Sequence, residues 1–138
     1  MNYSLQKSEE MIVMQHFKEQ YSKMPKGKLV PFESPDFLLK RSAKKWIGIE
    51  LTSIGNPGQV EQSFVKQICE IIDKKQQKAK SYNHKQVQEL WLIVIADFIS
   101  KMEENSLTSI MLTNNDYDYT KIFFFDLFTN NIFSLLEK

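Results

Sequence analysis

Two carboxylates in this sequence stand beside apolar runs that are typical of neighbouring β-strands. Asp36 directly follows Pro35, and Glu50 comes fourteen residues after Asp36, within the run from Trp46 to Thr52. Carboxylate oxygens are the ligands that hard divalent cations such as Mg²⁺ prefer, and a cation held in this way can generate a nucleophile from water. The pair therefore predicts a site for Mg²⁺ or Mn²⁺.

A third carboxylate, Glu10, lies in a segment with helical periodicity from about Ser4 to Met24. Apolar residues recur there every three or four positions and share one face with Glu10: Val13, Met14, Phe17, Tyr21 and Met24. An acidic residue on an apolar face is costly to bury without a positive partner. Two interpretations follow, either a third metal ligand or an acid in the first helical turn that complements the helix dipole.

The elements that carry the pair are predicted to form a β-hairpin. Pro25, Gly27 and Pro31 break the first helix, with a short edge strand at Leu29–Val30. A strand over 36–39, a basic turn over 40–45 and a strand over 46–54 follow. Strand alternation places Glu50 on one face of the second strand, with the following residues: Trp46, Gly48 and Thr52.

Downstream, the pattern predicts a helix, a buried strand and a second hairpin. Asn56-Pro57-Gly58 indicates the start of a helix that runs to about Lys80 and ends in exposed lysines. Leu90–Ala96 is continuously apolar, as in a central strand covered on both faces. The segment 99–112 is expected to be a short helix or irregular, and strands at 122–128 and 132–136 are joined by a tight turn at Asn130-Asn131.

The order helix, hairpin, helix, buried strand, together with Pro35-Asp36 and Glu50-Leu51-Thr52, resembles the PD-(D/E)xK nuclease superfamily. The resemblance extends from Glu10 to about Phe98. It implies an α/β (α+β) fold in a single domain over 1–138, with an αβββαβ-like core. That core is a mixed four-stranded central sheet flanked by helices, to which a C-terminal β-hairpin is added. The resemblance also implies metal ligation by Asp36, Glu50, the Leu51 carbonyl and Glu10.

The sequence departs from the superfamily pattern at one position. Thr52 stands where the superfamily has a lysine that orients the attacking water. Threonine can hydrogen-bond a water but supplies no positive charge. Some superfamily members take this charge from a neighbouring helix, and Lys66 is the candidate here, with Gln62 one turn earlier as a residue that orients the substrate.

Composition excludes some classes of protein and leaves the partner open. Lysine and arginine (18) nearly balance aspartate and glutamate (17), so nucleic acid would need a local basic patch, for which the lysines near Lys80 are a weak candidate. A single cysteine, Cys69, cannot form an intrachain disulfide, which favours a reducing compartment and a cytoplasmic location. No apolar run is long enough to span a bilayer.

Three hypotheses result. The first is a metal-dependent enzyme that hydrolyses nucleic-acid phosphodiester bonds. The second is a catalytically inactive member of the same fold that binds a protein partner as an immunity or accessory module, and either form leaves a homodimer open. The third is a generic α/β domain in which Glu50 lies on a solvated sheet face as a cross-strand partner of Lys40 or Lys44. His16, His84 and Cys69 lack the spacing of a zinc or nucleophilic site.

Overall fold

The described residues form a mixed α+β fold in which one β-sheet is flanked by two helices. A computed structural model describes residues 6–54, 64–82, 87–96, 110 and 116–138. The described elements follow one another as α1 Lys7–Gln20, β1 Lys28–Pro31, β2 Phe37–Lys40, β3 Trp46–Ser53, α2 Phe64–Ala79, β4 Val87–Ala96, β5 Lys121–Asp126 and β6 Asn131–Glu137. The predicted α/β class is thus confirmed.

The described sheet has six strands, and their spatial order is the same as their order along the chain. Neighbours β1, β2 and β3 are antiparallel, β3, β4 and β5 are parallel, and β6 is antiparallel to β5. The prediction of a four-stranded central sheet was therefore wrong in strand count. The C-terminal hairpin pairs with β4 because β4 is apolar on both faces and would otherwise leave an unpaired edge.

Each face of the sheet carries its own hydrophobic core. On one face α1 packs through Val13, Met14 and Phe17 against odd-numbered residues of β3 and β4, including Trp91. On the other face α2 packs through Ile68 and Ile72 against even-numbered residues of β4 and β5. Alternation along the strands thus separates the two cores as the sequence pattern predicts. It directs Glu50 toward α2.

Local predictions at the ends of the elements had mixed outcomes. Helix α1 ends at Gln20, four residues before the predicted end, because Tyr21 has extended backbone angles and its ring packs against Trp91 and Phe123. The second hairpin has its turn where it was predicted, with Asn130 at a φ of 63°. Asparagine tolerates this left-handed conformation better than most residues do.

Two further predictions concern the loops. The helix start at Pro57 and most of the connection over 99–112 lie outside the described residues. In the segment just before β5, the Tyr117 and Tyr119 side chains are buried against α2. Within the described ranges, no helix is long and apolar enough to cross a membrane.

Gly48 allows the chain entering β2 to approach β3 closely. A Cβ atom at this position would lie 2.8 Å from Pro35 Cγ and 3.0 Å from Leu90 Cδ1. Gly48→Ala is therefore expected to displace Pro35 and to lower the free energy of unfolding by about 1 to 3 kcal/mol. Urea denaturation measures the loss. Ile12→Ala, at a side chain that is 61% exposed, is the control and should change stability by less than about 0.5 kcal/mol, and an equal effect of the two variants would contradict the prediction.

Candidate functional site

Glu50 is a buried carboxylate on the sheet face that α2 covers. Its exposed fraction is 1%. Its Oε2 accepts a hydrogen bond from the Tyr82 hydroxyl, and its Oε1 lies 3.8 Å from Lys75 Nζ and 3.5 Å from Lys78 Nζ. All three partners come from α2 or the residues just after it. Glu50 therefore does not lie on a solvated face as a partner of Lys40 or Lys44, which was the third hypothesis.

The protonation state of Glu50 responds to pH near neutrality. Burial, followed by the nearby Asp36 carboxylate, raises the pKa of Glu50 to about 7, while the Tyr82 hydrogen bond and the Lys78 charge act in the opposite direction. Burial and the Glu50 carboxylate likewise raise the pKa of the Tyr82 hydroxyl, which stays a donor. Glu50 is thus protonated more readily than an exposed carboxyl is.

Asp36 lies at the end of the sheet where the β2 and β3 ladder stops. Phe37 pairs with Ile49, so Asp36 comes next, opposite Glu50. Its Oδ2 accepts a hydrogen bond of 2.8 Å from the Leu51 backbone N–H. Because the N–H and C=O of one strand residue point toward the same neighbour, the Leu51 carbonyl is also directed toward the Asp36 side. The structure thus brings Asp36 and Glu50, predicted from the hairpin, together with Leu51, whose carbonyl the resemblance implies as a ligand.

Glu10 reaches the same place from α1. Lys7 Nζ lies 3.3 Å from Glu10 Oε1 and 3.9 Å from Asp36 Oδ1, and it also donates to the Phe32 carbonyl oxygen at 2.8 Å. Burial and then the charge of Asp36 raise the pKa of Glu10. Glu10 is in the first turn of α1, so the dipole interpretation fits as well. Its proximity to Asp36 nevertheless makes it part of the carboxylate group.

The remaining predicted residues are less close to Glu50. Thr52 is half-buried, two residues beyond Glu50 on the same face of β3. Lys66 is exposed on the first described turn of α2, nine residues before Lys75, which is about 13 Å along the helix axis. Gln62 and His84 lie outside the described residues. The structure thus does not bring Lys66 together with Glu50 in the way that it brings Lys75 and Lys78.

Sequence reasoning missed Lys75 and Lys78 because it assigned the end of α2 to solvent. One signal was present in the sequence. Lys75 follows Ile72 by three residues and precedes Ala79 by four, so it falls within the buried stripe of the helix. A lysine at such a position indicates a buried partner of opposite charge.

The three carboxylates are of the ligand type that a hard cation prefers, but protein groups engage them in the structure. Glu10, Asp36 and Glu50 supply carboxylate oxygens, the ligand type that Mg²⁺ and Mn²⁺ prefer. Across the described residues, no three His, Cys, Asp or Glu side chains stand in an arrangement that could hold a metal ion. Asp36 adjoins each of the other two, and Lys7, Lys75 and Lys78 supply the neutralising charge. Metal binding would therefore require these lysines to move away from the carboxylates.

Comparisons with protein-family models, curated proteins and solved structures found no match for the chain. The resemblance to the PD-(D/E)xK superfamily therefore stays a prediction, carried by the residues and geometry of this chain.

Glu50→Gln is expected to change how stability depends on pH. A carboxyl whose pKa is raised in the folded state binds protons more tightly there than in the unfolded chain, so stability falls as pH rises from about 5 to about 8. With a folded pKa of about 7, this loss approaches about 3 kcal/mol. Urea denaturation in EDTA across this range should show a decline in the wild type and a flatter profile in the variant. Two parallel profiles would contradict the assignment.

Proposed function

We propose that this protein is a metal-dependent phosphodiesterase that acts on nucleic acid, with Asp36 and Glu50 as the principal metal ligands. The supporting observation is the pair of ammonium groups of Lys75 and Lys78, which lie 3.8 and 3.5 Å from Glu50 Oε1. They provide, from a neighbouring helix, the positive charge that Thr52 does not supply. The site thus combines hard oxygen ligands with cations, the two components that phosphodiester hydrolysis needs.

The position of each residue indicates its role in the proposed reaction. Asp36, Glu50, the Leu51 carbonyl and Glu10 would hold Mg²⁺ or Mn²⁺, which when bound supplies Lewis acidity and a water of lowered pKa. Lys78, whose side chain is 46% exposed, reaches a phosphate oxygen more easily than Lys75. The Thr52 hydroxyl lies on the same face and can hydrogen-bond a water. Asp36, tied to the Leu51 N–H, keeps its orientation.

The charges at the site also explain how it exists without a metal. Three ammonium groups (Lys7, Lys75 and Lys78) face three carboxylates (Glu10, Asp36 and Glu50). With the carboxylates neutralised by a bound divalent cation, Lys7, Lys75 and Lys78 would be available to bind phosphate oxygens. The same side chains thus stabilise the resting site and bind the anionic substrate.

Cleavage assays with Mn²⁺ or Mg²⁺ test the proposal. Plasmid DNA, single-stranded DNA and RNA serve as substrates for the wild type, Asp36→Asn and the double variant Lys75→Met/Lys78→Met. Asparagine retains an acceptor for the Leu51 N–H but loses the charge, and methionine retains the apolar stem of lysine. Each variant should cleave about a hundredfold more slowly than the wild type, because each removes charge that stabilises the transition state.

Lys74→Met is the matched control, since Lys74 is an exposed lysine beside Lys75 on α2. Its rate should equal that of the wild type. Lys66→Met tests the earlier expectation, and a loss confined to Lys66→Met would transfer the catalytic charge to that residue. Cleavage that is unchanged in Asp36→Asn would show a contaminating nuclease and would overturn the proposal.

An inactive binding module of the same fold is the second candidate function, and one observation favours it. Lys7 Nζ lies between Glu10 and Asp36 and donates to the Phe32 and Asp36 carbonyl oxygens at 2.8 and 3.2 Å. An ammonium group held by several oxygens already occupies part of the space that a cation needs. In this case the partner is a protein, and the cytoplasmic location and a homodimer stay predictions for either function.

Thermal denaturation with added Mn²⁺ separates the two functions without depending on turnover. A metal that binds only the folded state stabilises it by mass action. For the enzyme, the wild-type melting temperature should rise with Mn²⁺ concentration, and Asp36→Asn should respond much less. For the inactive module, the wild type should show no rise, whereas Lys7→Met, which frees the oxygens, should acquire one. An equal rise in the wild type and Asp36→Asn would place the metal elsewhere.

A further inference from the structure

A cavity of about 290 Å³ opens directly beside the carboxylates. Tyr82, which donates its hydroxyl hydrogen to Glu50, lines it, and so does Pro35, which precedes Asp36. The cavity is thus linked to Asp36 by its chain neighbour Pro35 and to Glu50 by its hydrogen-bond partner Tyr82. A group bound there would belong to the same molecule whose reacting bond lies at Asp36 and Glu50.

The cavity combines an apolar wall with a polar edge. Pro35, Tyr82, Val87 and Leu90 supply ring and aliphatic surface. Lys80 and Gln88, together with the acidic Glu89 and Asp118, supply polar groups. The Tyr82 ring has a fixed position because its hydroxyl is bonded to Glu50. A fixed aromatic ring beside hydrogen-bonding groups is suited to a planar heterocycle, which stacks on one side and is hydrogen-bonded at its edge.

Positive charge lies on both sides of the cavity. On one side is Lys80, at its wall. On the other side Gln88 Nε2 donates to the Lys44 carbonyl oxygen at 3.4 Å. This contact joins the cavity to the turn between β2 and β3, whose exposed cations are Arg41, Lys44 and Lys45. A strand whose base enters the cavity would thus meet cations along its phosphates in both directions.

We infer that this cavity binds one unstacked base of a single-stranded nucleic acid, with the adjoining phosphates on the lysines at its two sides. The inference rests on the proposed function and names its substrate class. A paired base in a duplex is stacked on both faces and has its edge engaged, so it would have to leave the helix to enter. Single strands are therefore the preferred ligand. The cavity volume lies at the small end of the range for ligand pockets.

Fluorescence anisotropy with a short fluorescein-labelled DNA strand, and with the same strand annealed to its complement, tests the inference. The assay contains EDTA, so that binding is measured without cleavage. The wild type should bind the single strand more tightly than the duplex. Val87→Trp, which fills the cavity, should weaken single-strand binding about tenfold, the size expected for loss of one stacked base. Ile12→Trp, at an exposed position of α1 on the opposite face of the sheet, should bind as the wild type does.

A second pair of variants keeps the test decisive if Val87→Trp does not fold. Tyr82→Phe and Tyr82→Leu both remove the hydroxyl that bonds to Glu50, but only the first retains the ring. Tyr82→Phe should therefore bind the single strand more tightly than Tyr82→Leu, by about tenfold. Melting temperatures of both variants check that each is folded.

The outcomes separate this inference from the proposed function. If the wild type binds single strands in this way but cleaves no substrate with either metal, the base site is supported and the proposed hydrolysis is contradicted. If the wild type cleaves but Val87→Trp and Tyr82→Leu bind single strands as tightly as the wild type does, hydrolysis is supported and the base site is contradicted. Absence of wild-type binding to the single strand, or an equal affinity for the duplex, would also overturn the base site.

Discussion

The need to compensate one buried charge organises this end of the molecule. A carboxylate with 1% exposure is strongly destabilising unless hydrogen-bond donors and positive charge surround it. Glu50 obtains a hydroxyl from Tyr82 and two ammonium groups from α2. The ammonium groups that α2 brings to Glu50, the space that Gly48 leaves for Pro35 and the proximity of Asp36 are all parts of this arrangement.

The C-terminal hairpin region contributes to the site through α2 rather than by direct contact. The segment before β5 packs on the second half of α2, where Tyr117 donates to Asp73 at 2.8 Å and Gln76 exchanges hydrogen bonds of 2.9 and 2.8 Å with Asp118. The Tyr119 hydroxyl donates to the Lys75 carbonyl oxygen at 3.3 Å. These contacts fix the turn of α2 that carries Lys75 and Lys78. The segment that leads into the C-terminal hairpin thus helps to hold the site's cations in place.

The two candidate functions, hydrolysis and inactive binding, differ in which groups contact the carboxylates and lysines of the site. The resting site is electrostatically balanced, with each carboxylate next to an ammonium group of the protein. An enzyme would exchange these contacts for metal and phosphate, and the pKa of Glu50, raised to about 7, makes that exchange compete with protons near neutral pH. A binding module would retain the internal ion pairs and use the same surface for a partner. The lysine contacts, rather than the fold, therefore distinguish the two functions.

The sequence by itself determined the α/β class, the hairpin that carries Asp36 and Glu50, the face on which Glu50 lies, and the left-handed turn at Asn130. These features depend on local periodicity and backbone preference, which can be predicted from short stretches of sequence. Tertiary structure alone decided that six strands form one sheet and that Lys75 and Lys78, rather than Lys66, lie beside Glu50. The reason is that strand pairing and helix register depend on contacts between residues far apart in sequence. A lysine within an apolar stripe indicates a buried partner, but only packing identifies that partner.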